Sequence, residues 1–100
     1  MENRKDLKTE KILKIKQGLL LKSVEGGFIV IAVGKMVKEF NGAITLNSSG
    51  AFLWQQLEKG VTKSQLIERL CNEYEVDNDK AENDVNAFVE KLTKANLIEG

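Results

Sequence analysis

The chain has 100 residues, no proline, and 42% apolar against 30% charged side chains, a balance that fits one folded domain and excludes a disordered chain or two separate cores. Fifteen lysines and arginines offset fifteen acids, so no overall field steers the chain toward nucleic acid or an anionic membrane. Histidine is absent and cysteine occurs once, which excludes an internal disulfide and a zinc site of the usual Cys/His kind, and removes the usual general base for a Ser or Cys nucleophile.

Residues 1–16 hold six basic and three acidic side chains, net +3, with scattered apolar residues and no clean period. They read as a flexible basic arm, with a domain over residues 17–100. Net charge then falls to +1 over residues 17–60 and −4 over residues 61–100, a gradient that solvated surface explains. The longest unbroken apolar run, residues 28–33, is far shorter than the about 20 residues of a membrane span, so a cytoplasmic protein is expected.

From Leu19 the pattern becomes short apolar segments. Residues 19–24 and 28–33 flank Glu25-Gly26-Gly27, and a Gly-Gly pair between two β-rich runs predicts a hairpin, because glycine reaches the positive φ of tight turns. Residues 28–33 are apolar at every position, which predicts a central strand covered on both faces. After a loop at residues 34–42, where Asn41-Gly42 can turn the chain, residues 43–46 predict a third antiparallel strand.

Beyond Leu46 the period is helical. Asn47 or Ser48 can cap a helix carrying Ala51, Trp54 and Leu57 on one stripe, and Gly60 stops it. Thr62 with Gln65 forms a capping box, and Leu66, Ile67, Leu70, Cys71 and Tyr74 give the next helix a buried face. Asp77 or Asp79 caps a third, whose stripe runs through Ala81, Val85, Phe88, Val89, Leu92 and Ala95 to an end at Asn96. The fold class is therefore α+β: a three-stranded antiparallel sheet followed by three helices, winged helix-turn-helix-like in its last two helices and attached sheet.

Little in this pattern carries chemistry. Asp77, Asp79, Glu82 and Asp84 sit at a helix start, where the dipole favours acids without any catalytic role. Gly26-Gly27 lacks the Gly-Lys-Ser of a phosphate loop. Cys71 falls among core positions, as do Trp54 and Phe88, while Phe52 lies off the stripe. No catalytic residue, metal or cofactor is expected. What remains is an edge: residues 43–46 contain no proline or charge to block pairing with another strand.

The passage Ile44-Thr45-Leu46-Asn47, then Ser48 to Leu57 read as Ser-Ser-Gly-Ala-Phe-Leu-Trp-Gln-Gln-Leu, then Gly60-Val61-Thr62, resembles the strand, Leu-Asn, small-residue, helix, Gly, Thr order of PqqD-like proteins. Leu66-Ile67, Tyr74, Asp84-Val85, Phe88-Val89, Leu92 and Asn96-Leu97-Ile98 continue the resemblance, with Asn96 standing where the family more often has glycine. The resemblance implies a non-catalytic recognition element for ribosomally made, post-translationally modified peptides. Such an element acts as a peptide chaperone: it binds a precursor's leader segment and presents the rest to a modifying enzyme, often a radical S-adenosylmethionine enzyme. It also implies β-augmentation, with the leader added along Ala43, Ile44, Thr45, Leu46 and Asn47 and lying against Asp84, Val85, Phe88 and Lys91. Leu46, Val85 and Phe88 equally fit the core.

The rival from another class is a winged helix-turn-helix that binds DNA. Its third helix would carry Lys80, Lys91 and Lys94 against Asp79, Glu82, Asp84 and Glu90, a net negative charge that repels the phosphates it must approach. A pure scaffold or dimerisation domain is a third reading.

Overall fold

Glycines turn the chain back on itself at the hairpin, and capping side chains start all three helices. The computed structural model describes residues 10–40 and 42–99. Their order is β1 (Lys14–Ile15), β2 (Leu19–Val24), β3 (Gly27–Ala32), a 3-10 turn (Gly34–Lys38), β4 (Ala43–Leu46), α1 (Ser48–Lys59), α2 (Lys63–Tyr74), α3 (Asn78–Lys94) and β5 (Ile98–Glu99).

β2, β3 and β4 form one antiparallel sheet in that order. Gly26, at φ +88, supplies the left-handed residue of the turn, and Gly27 already pairs with Val24. β3 therefore starts one residue earlier than the sequence suggests and ends at Ala32 rather than Val33. The predicted loop before β4 contains the 3-10 turn, which buries Met36. Of the predicted Asn41-Gly42 turn, Asn41 lies outside the described residues.

Asn47 accepts a hydrogen bond from the Gly50 amide (2.9 Å) to start α1. Thr62 and Gln65 form the reciprocal capping box at α2, and Asp77 accepts from the Lys80 amide (2.8 Å) at α3. The helices cover one face of the sheet. Val30, Trp54, Leu57, Leu66, Val85, Leu92 and Leu97 are fully buried, joined by Leu70, Val89 and Leu46. Trp54 Nε1 donates to Glu58 Oε2 at 3.1 Å, so its polar atom is satisfied. Phe52, which the helical stripe leaves unplaced, is half-buried and meets Tyr74 edge to face with centroids 5.8 Å apart.

Two expectations are corrected. The basic arm does not extend to Lys16: β1 pairs with β5, Leu13 exchanges two backbone hydrogen bonds with Val61 (2.7 and 3.0 Å), and Ile15 is buried. Leu13 and Ile15 alternate with lysines, a strand signal too short to stand out among so many charges. Residues 1–9 lie outside the described residues. The second correction concerns β3. It is central, but only Val30 is fully buried, and the sheet is covered on one face.

That face is set by parity. Leu19, Leu21, Phe28, Val30, Ala32, Ile44 and Leu46 belong to the core or pack against it. Leu20, Lys22, Val24, Ile29, Ile31, Ala43 and Thr45, the alternate positions, point to the open side.

Candidate functional site: an open strand edge beside a groove

In antiparallel pairs, residues exchange backbone hydrogen bonds at every second position. Val24 and Gly27 flank the two-residue turn, and the Val33 amide donates to the Gly18 carbonyl at 2.8 Å, so the odd-numbered residues of β3 bond to β2. The even ones, Phe28 and Val30, then bond to their partners Leu46 and Ile44 on β4. Ala43 and Thr45 are left with their N–H and C=O groups directed at the open edge of the sheet. Asn47 continues the strand in extended conformation, at φ −85 and ψ −174, while its carbonyl and side chain cap α1.

β2 is the sheet's other edge, but Lys22 stands in its middle, exposed, as a guard against pairing. β4 has no such charge.

At the Asn47 end of β4 a groove of ≈ 440 Å³ opens between the start of α1 and the exposed side of α3. Of the residues expected at the site, Asn47, Asp84, Phe88 and Lys91 line it; Ser49, Gly50, Leu53, Leu70, Lys80 and Ala87 complete it. Leu53 and Leu70 hide in sequence as ordinary core positions. Lys80 and Asp84 form an exposed i,i+4 pair at 3.2 Å, worth little by itself. Lys91 has no ion-pair partner among the described residues and is the groove's unmatched charge.

Other expected site residues have different places. Val85 is fully buried and Leu46 nearly so, so both are core rather than groove wall. Ile44 packs inward against the core, whereas Ala43 and Thr45 are exposed and contribute backbone to the edge. A separate hollow of ≈ 340 Å³, lined by Glu10, Lys11, Leu13, Lys63 and Val89, shares no residue with the groove and has no open strand of the sheet beside it.

The sequence profile of the family described as coenzyme PQQ synthesis protein D (PqqD) matches residues 21–98, from β2 through α3 to the start of β5. The chain belongs to the PqqD family. No curated protein matches the sequence significantly. Among solved structures, TbiB1 in complex with the TbiA(beta) leader peptide is similar over 87% of this chain and 95% of that one, at 23% identity and a TM-score of 0.69. Lasso peptide synthetase B1 complexed with the leader peptide is similar over 88% and 98%, at 22% identity and a TM-score of 0.68. The PqqD-family fold seen here, sheet then three helices, is thus shared over nearly the whole length of both neighbours.

Proposed function

We propose that this chain is a non-catalytic peptide-binding module that captures the leader segment of a ribosomally made precursor as an added strand on β4 and presents the precursor to a modifying enzyme. The observation that carries the reading is the open edge at Ala43 and Thr45 running into the groove lined by Phe88 and Lys91. Main-chain hydrogen bonds along such an edge give affinity, and pockets for alternate side chains give selectivity. Membership of the PqqD family supports it, as do two structural neighbours determined with leader peptides bound.

An added strand directs every second side chain to the helix side, the side of Ile44 and Leu46, where Phe88 and the apolar floor of Leu53 and Leu70 receive it. Lys91, without an ion-pair partner among the described residues, attracts an acidic leader residue. Asp84 keeps Lys80 engaged and limits the positive charge of the groove. With no histidine and a single half-buried cysteine, the chain leaves chemistry to its partner, for which a radical S-adenosylmethionine enzyme is one candidate. Capture takes place in the cytoplasm, where the precursor is made.

The test is titration of the cognate leader peptide against edge variants. Proline is compatible with an edge position whose N–H faces outward, so Thr45→Pro keeps the fold but removes a donor to the peptide. Losing one such hydrogen bond, about 1 kcal/mol, together with the ring's obstruction lowers leader affinity by about tenfold or more. Thr45→Ala leaves affinity nearly unchanged. Equal affinities for all three proteins contradict strand addition at this edge.

A further inference from the structure

We propose that the open edge of β4 takes a second copy of this chain when no leader is bound: two empty modules pair β4 to β4 about a two-fold axis through Ile44, and a captured leader dissolves the pair. The competition between copy and leader rests on the leader-capture reading, whereas the pairing itself does not. An open edge is a template for any strand that matches its spacing, and β4 carries neither charge nor proline to turn one away. The strand always at hand in a solution of this protein is another β4.

Parity makes β4 complementary to itself. Ala43 and Thr45 direct their N–H and C=O groups outward, and two antiparallel copies can set Ala43 of each against Thr45 of the other. Two hydrogen-bonded pairs result, each exchanging both of its N–H···O=C bonds, and together they use every outward group of β4. Shifting the axis to Thr45 would pair Ala43 with Asn47, whose carbonyl already accepts from the Ala51 amide (2.9 Å) and whose chain turns into α1. Between the two pairs Ile44 lies directly opposite its own copy, at the closer, non-hydrogen-bonded spacing. Ile44 is the one large apolar side chain of β4 left partly uncovered, and its copy closes that flank. On the outer face Ala43 lies beside Thr45, both small and uncharged, so nothing there resists approach. The two starts of α1 fall at opposite ends of the antiparallel pair.

The pairing closes at two copies. The far edge of each sheet is β2, with exposed Lys22 in its middle, so the joined sheets offer no second open edge on which to grow. It is also weak. A stable interface buries about 1,200–2,000 Å², and a four-residue edge covers only a fraction of that, whereas a leader on the same edge also fills the groove against Phe88, Leu53 and Leu70. The leader therefore displaces the second copy. Until it arrives, the pair keeps the edge from less specific strands, and each module becomes a monomer on loading.

The experiment is analytical ultracentrifugation of the full chain at concentrations up to about 1 mM, with and without the leader peptide of the precursor encoded beside it. The average mass is expected to climb toward that of two chains with concentration and to return to that of one at saturating leader, and apparent leader affinity to fall as module concentration rises. Two double variants at the exposed outer positions fix the register, and native circular-dichroism spectra report that both fold. Ala43→Lys with Thr45→Lys sets like charges opposite each other at both pairs and abolishes the dimer. Ala43→Lys with Thr45→Glu sets opposite charges there and tightens it several-fold. A chain that stays monomeric throughout, a dimer that both double variants leave alone, one that bound leader fails to dissolve, or assembly that grows beyond two copies overturns this inference and leaves the capture reading standing. A dimer that forms as described while the leader does not bind contradicts the capture reading, and with it only the competition.

Discussion

Thr45 and Asn96 show how much a single backbone position decides. The hydrogen-bond parity of β3 directs the Thr45 amide outward, so the proposed capture of a leader strand calls on its N–H and not on its side chain. Asn96, where the family more often has glycine, sits at φ +63, in the left-handed region that asparagine tolerates better than other side chains. It ends α3 and lets Leu97 turn into the core and β5 meet β1. Asn96→Gly should therefore leave the urea midpoint unchanged or raise it, while Asn96→Ala lowers stability by about 1 kcal/mol. The hydrogen bond from Lys16 Nζ to Asn96 Oδ1 at 2.9 Å is exposed and adds little. Equal midpoints for the glycine and alanine variants would contradict a role for the left-handed turn.

Among the elements, the helices and the main sheet were legible because each has its own signal: capping residues with a buried stripe for α1 to α3, and a Gly-Gly turn between apolar runs for β2 and β3. β1 and β5 were not. Each has two residues, and their pairing joins Lys14 to Glu99 and Ile15 to Ile98 from opposite ends of the chain. No local period encodes a contact of that range. The edge at Ala43 and Thr45 was legible as a segment free of proline and charge, but which amides face outward follows only from the register. Groove residues Leu53 and Leu70 look in sequence like any other core leucines. Because Ile15 is buried and residues 13–16 hold three backbone hydrogen bonds from outside the β1–β5 pair, deleting residues 1–16 should destabilise the domain. Ile15→Ala alone should cost about 2–5 kcal/mol, the range for truncating a buried aliphatic side chain. The same range applies to Leu66→Ala, at the fully buried face of α2. Urea midpoints check all three, and a deletion that leaves the midpoint in place would restore residues 10–16 to a dispensable arm.

At the scale of the whole molecule, three surfaces with separate demands share one small sheet: an inner face packed by helices, an edge open to a strand and an outer apolar face. Zero net charge and an α3 with more acids than lysines leave little to hold a nucleic acid. Duplex DNA should bind weakly, without sequence preference, and dissociate at physiological salt, as anisotropy titrations over increasing salt would report. A sequence-selective complex surviving there would favour the winged-helix alternative. The peptide-capture account is tested most directly by amide chemical-shift mapping of the labelled full chain with its cognate precursor peptide. It predicts changes concentrated on Ala43, Thr45 and Asn47 and on α3 from Asp84 to Lys91, with new exchange protection at the Thr45 amide. Changes confined to α1 and α2 away from the groove, or none at saturating peptide, would contradict it.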